Sequence, residues 1–153
     1  MCNVLHEIPP NNWPTIFSPL SLIGRALADK GFLLLVEDQR IPVGELAHEY
    51  GFLVLDTSHL RTLFGVSVQD NEAGRFRCDD ARGDGRLKAH WIAKSLLGNI
   101  SATAVRSAIG QLAETAKSQV RRLRTEEPSY GNGQLHGFWT QQLANAALFL
   151  EGA

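Results

Sequence analysis

The chain has 153 residues and 16.8 kDa, with 44% apolar and 20% charged residues and a mean hydropathy of −0.12, a composition that excludes a disordered or fibrous chain and suits a single domain. Fifteen Lys plus Arg against sixteen Asp plus Glu leave a formal charge of −1, so no global field attracts phosphate backbones or anionic lipid, and nucleic acid is not the expected partner. Cys2 and Cys78 form no CxxC pair, residues 1–10 carry no basic leader region, and no apolar run approaches the roughly 20 residues of a membrane span; a soluble, cytoplasmic protein without a disulfide framework is expected.

In chain order, Met1-Cys2-Asn3-Val4-Leu5 is apolar enough for a short buried strand over 2–5, and it runs into a loop that carries Pro9, Pro10 and Pro14. Ser18-Pro19 offers an N-cap followed by proline at the first helical position. Leu20, Ile23 and Leu27 repeat at helical spacing and Gly31 is a stop, which predicts a helix over 19–30. Phe32-Leu33-Leu34-Leu35-Val36 is continuously apolar and closes on Glu37-Asp38, the pattern of a central parallel strand covered on both faces. Strand, helix, strand is half of a doubly wound α/β unit.

Residues 42–50 read as a loop with a short helix, 52–56 as a second buried strand, and Thr57 or Ser58 as the cap of a helix running to about Phe64. Strands over 73–79 and 86–94 flank the glycine-containing turn Ala81-Arg82-Gly83-Asp84-Gly85, predicting an antiparallel hairpin. From Ser101 a long helix carries Val105, Ile109, Leu112, Ala116, Val120 and Leu123 on one stripe and ends near Glu127-Pro128. A second helix, about 134–150, follows the break at Ser129-Tyr130-Gly131-Asn132-Gly133. The α/β rhythm gives way near Gly98-Asn99, so the expected organisation is a partial α/β domain over 1–98 and a helical pair over 99–153 packed on it.

Asn3-Val4-Leu5-His6-Glu7-Ile8-Pro9, the helix ending Ala26-Leu27-Ala28-Asp29-Lys30-Gly31 and the strand Phe32-Leu33-Leu34-Leu35-Val36-Glu37 together resemble class I S-adenosylmethionine-dependent methyltransferases, over roughly residues 1–94. The resemblance implies the C-terminal half of a Rossmann-like methyltransferase sheet: residue 5 ends the fourth strand, 32–37 is the fifth, and the 72–94 hairpin supplies the sixth and seventh. The family's glycine-rich loop and its ribose-binding acid precede this point. Gly131-Asn132-Gly133 follows a helix and a proline rather than a strand, and so fails the context of a cofactor loop. A chain opening inside the fourth strand is expected to be a fragment, a truncated gene or one half of a split enzyme. Its exposed sheet edge would then be covered by the missing N-terminal half, a second copy or another chain.

By the same resemblance the completed protein binds S-adenosylmethionine and moves its methyl group to an oxygen or nitrogen of a small-molecule or protein acceptor, the chain being inactive alone. A non-catalytic remnant serving as an interaction module is the alternative. Asn3, Val4 and Leu5 would border the cofactor's methionine moiety, His6 would be the general base, and Glu7, Trp13 and Glu37 would face the acceptor. The residues themselves leave rival readings. His6 lies past a strand's carboxyl end, where such folds build their clefts, or it shapes the loop. Glu7 orients His6 or is solvated, and Trp13 walls a pocket or packs the loop onto the helix. Glu37-Asp38 closes its strand at the same cleft face. His48, His59, His90 and His136 have no HxxxH or HExxH spacing, so no metal cluster is signalled. Lys117, Arg121, Arg122 and Arg124 read as a solvated helix face.

Overall fold

In the computed structural model, which describes residues 1–41, 44–80, 83 and 85–152, the first three residues run beside strand β1 (Phe32–Asp38) and in the same direction. The Val36 N–H donates to the Met1 carbonyl at 2.9 Å, the Asn3 N–H to the Val36 carbonyl at 2.8 Å, and the terminal ammonium to the Leu34 carbonyl at 2.8 Å. The expected parallel neighbour of β1 is therefore present, but as the single bridge Cys2–Val36 and not as a strand over 2–5. Asn3 turns to a φ of 49°, and Leu5–Glu7 coil into a 3-10 turn.

A second 3-10 turn, Pro10–Asn12, leads into α1 (Trp13–Ile16). The helix expected over 19–30 contracts to α2 (Leu22–Ala26), capped by Ser21, whose hydroxyl accepts from the Gly24 N–H at 3.0 Å. Leu20 stands 81% exposed outside it. Gly24 explains the shortening: a Cβ there would lie 2.5 Å from the Ser18 and Pro19 carbonyl oxygens, so the preceding residues fold across the helix instead of extending it.

The protein is a mixed α/β fold with a three-stranded antiparallel sheet in the order β1-β3-β2, where β2 is Phe76–Asp80 and β3 is Leu87–Ala93. The hairpin expectation holds, with Phe76 opposite Ile92 and Cys78 opposite His90. Of the turn between them only Gly83 and Gly85 are described; Ala81, Arg82 and Asp84 lie outside the described residues. The Asp80 carboxylate accepts from the N–H groups of both glycines, at 3.0 and 2.9 Å, and both have positive φ. On the far side β3 pairs antiparallel with β1, Leu33 opposite Ile92 and Leu35 opposite His90.

β1 is thus not a central parallel strand buried on both faces. Its side chains alternate, with Leu33, Leu35 and Glu37 inward and Phe32 and Leu34 more than one-third exposed. The outward residues join Trp91, and the Arg77 guanidinium lies over the rings of Phe32 and Trp91 at 5.2 and 5.5 Å. An unbroken apolar run here reflects one packed face and one bare face roofed by a cation.

Asp56 caps α3 (Thr57–Leu63), in place of the expected Thr57 or Ser58. Its carboxylate accepts from the Ser58 and His59 N–H groups, while His59 Nδ1 accepts from the Asp56 N–H. α4 (Val68–Glu72), a 3-10 turn (Lys94–Asn99), α5 (Ala102–Leu123) and α6 (Tyr130–Gly152) complete the chain. The glycines Gly131 and Gly133 sit inside α6, which begins four residues earlier than the sequence pattern implies. α5 buries Val105, Ile109, Leu112, Val120 and Leu123, and its core residues join Leu33, Leu35 and Ile92 of the sheet and Phe149 of α6 in one apolar cluster.

Residues 52–55 are all buried, yet they belong to no sheet. Leu53 and Leu55 face the main core, while Phe52 and Val54 meet Ile41 and Phe138. A buried extended backbone needs hydrogen-bond partners, and here side chains of α6 supply them. Gln142 accepts from the Val54 N–H at 2.8 Å and donates to the Phe52 carbonyl at 3.3 Å, which also receives the Asn145 amide at 2.8 Å. The strand expected over 52–56 is therefore replaced by an extended segment clamped by two helix amides. Gly51, at φ 70°, brings the chain so close that a Cβ there would sit 2.5 Å from the Asn145 amide.

Candidate functional site

The Leu5–Glu7 turn places its residues over the end of β1. Because Glu37 points inward there and is 3% exposed, its carboxylate must find donors within the protein. Oε1 accepts the N–H groups of Val4 at 3.0 Å and Leu5 at 2.8 Å, and Oε2 lies 2.8 Å from His6 Nδ1. A carboxylate only accepts, so Nδ1 carries the proton, and in the neutral ring Nε2 keeps its lone pair. The His6 residue is 5% exposed. Among the described residues no hydrogen bond reaches its Nε2, and the Glu45 Oε1 atom stands 3.8 Å away.

Burial depresses the His6 pKa, but the hydrogen bond to Glu37 and the charges of Glu37, Glu45 and Glu7 outweigh it and hold the imidazole above its ordinary value. His48 behaves oppositely: burial lowers its pKa, and the nearby His6 charge lowers it further against the pull of Glu49. The His48 Nδ1 atom accepts from the Tyr50 N–H at 3.3 Å, and its buried Nε2 has no partner.

Of the residues singled out by sequence, the structure brings together His6, Glu7 and Glu37. Glu37 does not face outward: its two oxygens hold the Val4–Leu5 backbone and the His6 imidazole. Glu7 is exposed, and one oxygen of its carboxylate lies with one of Glu45 and a ring nitrogen of His6 within 4.8 Å of one another. Trp13 walls no cleft; it is wholly buried in the core, with its indole N–H on the Ile8 carbonyl at 3.0 Å. Asn3 accepts the Asp38 N–H at 2.8 Å, and Leu5 is buried while Val4 is 37% exposed. Glu45 went unnoticed because it lies in a stretch with no regular periodicity, and only the fold carries that stretch back to His6. Asp38 faces away, paired with Arg86 at 3.0 Å.

A donor set for S-adenosylmethionine is not found among the described residues. The Val4 and Leu5 N–H groups are spent on Glu37, Asn3 is bonded to β1, and Gly131 and Gly133 are in the first turns of α6. The other titratable groups are structural. His59 closes the α3 cap and meets the Thr115 hydroxyl at 3.1 Å. Lys117 pairs with Glu114, Arg122 with Glu126, and Arg124 reaches His136, so the basic stripe is a solvated helix face.

His90 is the exception with a measurable consequence. It is wholly buried, with Nε2 3.0 Å from the Thr57 hydroxyl and Nδ1 without a partner. Burial, with help from the Lys88 charge, takes its pKa from 6.5 down to about 4. The folded state thus resists a proton that the unfolded chain accepts. The neutral ring costs nothing above pH 6.5, and stability drains as pH falls from there towards 4. A loss of about 3 kcal/mol over that interval is expected from this residue, His59 and His48 adding in the same direction. Urea midpoints of the wild type and of His90→Gln at pH 7 and pH 4.5 measure it. The variant should lose less stability on acidification, and parallel losses would remove His90 from the account.

No family model, curated protein or solved structure matches this chain.

Proposed function

We propose that the chain is the acceptor-side half of an S-adenosylmethionine-dependent methyltransferase of Rossmann-like fold, joined in the working protein to a half that holds the cofactor. The observation that carries this reading is the His6–Glu37 pair. A buried carboxylate ties down Nδ1 at 2.8 Å and leaves the Nε2 lone pair without a hydrogen bond among the described residues, the tautomer a general base requires. The phrase Leu5-His6-Glu7 after a segment running parallel to β1 supports the family resemblance. The bare outward face of Phe32, Leu34 and Trp91 offers the cofactor half a surface to cover.

In this reading the cofactor supplies an electrophilic methyl group for direct displacement. His6 Nε2 takes the proton from an acceptor hydroxyl or amine, and Glu37 holds the imidazole tautomer and orientation while the charge forms. Glu45 and Glu7 favour the imidazolium by their charge. The acceptor is a small molecule or a protein side chain; nucleic acid fits poorly with a formal charge of −1. A cytoplasmic location agrees with this chemistry. No helix of the described residues is long and apolar enough to cross a membrane.

The rival reading is a non-catalytic remnant that uses the same bare face to bind a second copy or another chain. Calorimetry separates the two. S-adenosylmethionine titrated into this chain alone should give no heat of binding, and titrated into the chain joined to a glycine-rich, cofactor-binding methyltransferase half should give saturable binding. Absence of binding by the joined protein would defeat the methyltransferase reading. Clear binding by this chain alone would defeat the assignment of the cofactor to another half, and the inert remnant with it.

A further inference from the structure

When His6 is neutral its ring offers a lone pair, not a donor, close to the Glu7 and Glu45 carboxylates. One ligand atom from each of the three lies within 4.8 Å of the others, with His6 Nε2 and Glu45 Oε1 3.8 Å apart. Among the described residues no lysine or arginine pairs with either carboxylate, and the partner of Glu45 is His6 itself. Three potential electron-pair donors thus converge with no lysine or arginine paired to either glutamate. Two of them are ordinary exposed or half-exposed glutamates, which by themselves would signify nothing. The third is a side chain 6% exposed, held from behind by Glu37 Oε2, whose remaining nitrogen makes no hydrogen bond among the described residues and stands 3.8 Å from the Glu45 carboxylate. A carboxylate behind an imidazole is the usual backing of a metal-bound histidine, because it fixes the tautomer that leaves the ligating nitrogen bare.

We propose that His6 Nε2, Glu7 and Glu45 form a binding site for a first-row divalent cation of the zinc type. The donor set selects the ion: an imidazole nitrogen suits zinc and its neighbours and is a poor ligand for magnesium or calcium, which prefer all-oxygen sites. Metal–ligand bonds of about 2.0–2.2 Å put donor atoms roughly 3.4 Å apart in a tetrahedral site. Glu45, 3.8 Å from Nε2, must therefore close by about 0.4 Å, and the remaining separations, within 4.8 Å, by at most about 1.4 Å. The glutamates are free to do so, since Glu7 is exposed and the Glu45 side chain is 36% exposed. Three protein ligands leave a fourth position for water or a substrate atom. The site stands on these atoms alone and not on the methyltransferase reading. An ion and a base would compete for the same lone pair, so a metal-loaded molecule has no free base at His6.

Zinc titrated into the intact chain at neutral pH and followed by calorimetry should show one site per chain, with magnesium in excess failing to compete. Glu45→Gln and Glu7→Gln change side chains that face solvent and leave the core intact. Each should weaken zinc at least roughly tenfold, the scale on which even outer partners of metal ligands act. His6→Gln should abolish the site, and cobalt in place of zinc should show visible absorption bands that this variant loses. Zinc affinity unchanged in both glutamate variants, no saturable binding at all, or displacement by magnesium would each overturn the proposal.

Discussion

Truncation of Leu112 to alanine is expected to lower the unfolding free energy by about 2–5 kcal/mol, the largest stability effect of any substitution considered. Leu112 is wholly buried midway along α5. It belongs to the cluster that joins the inner sheet residues Leu33, Leu35 and Ile92 to Ala146 and Phe149 of α6. The lost side chain removes transfer free energy and leaves a cavity that three separate elements would have to collapse into. The inner face of a three-stranded antiparallel sheet and two helices longer than twenty residues leave little freedom for such a collapse, which places the effect in the upper half of that range. Urea denaturation gives the value directly. A loss below 1 kcal/mol would mean that α5 is not the central packing element.

In the completed protein, His6→Asn is expected to reduce turnover by roughly 10²-fold or more, the usual size of a general-base contribution. Asparagine still accepts and donates hydrogen bonds, so it can answer the Glu37 carboxylate through its amide and preserve the Leu5–Glu7 turn, but it offers no basic lone pair. Cofactor affinity should therefore change little, since no cofactor donor is assigned to His6. The pH profile adds a readout that a structural role would not move. Because burial is outweighed by Glu37, Glu45 and Glu7, the His6 pKa stands above 6.5, and the rate of the wild type should rise with pH through that raised value as the base becomes neutral. In the variant this limb should vanish. Turnover unchanged by the substitution would assign His6 to the loop, and a parallel fall in cofactor affinity would make it a wall of the cofactor pocket.

Elements whose signals are local were legible in the sequence. The stripe from Val105 to Leu123 repeats at helical spacing and needs only a single apolar surface to satisfy it, so α5 was predictable from periodicity, and the glycine turn with flanking strands gave the β2–β3 hairpin. His6 and Glu37 could each be picked out because both sit where an apolar run ends on a polar group. Their contact could not, since nothing in two separated phrases says that one side chain bonds the other.

What only the tertiary structure decided falls into two kinds. The first is which face of an apolar run is covered. Residues 32–36 read as buried on both sides, because leucine and phenylalanine look alike wherever they point, yet β3 and Arg77 settle that Phe32 and Leu34 face outward. The second is how a buried backbone finds its hydrogen bonds. Residues 52–55 carry the apolar signature of a strand, and local sequence cannot distinguish pairing with another strand from pairing with Gln142 and Asn145, 88 and 93 residues away, at 2.8 Å each. The same holds for Glu45 beside His6. Secondary structure follows from interactions within a few residues, which a sequence displays directly. A cluster of charges or a clamp of amides depends on the path of the whole chain, which sequence periodicity does not encode.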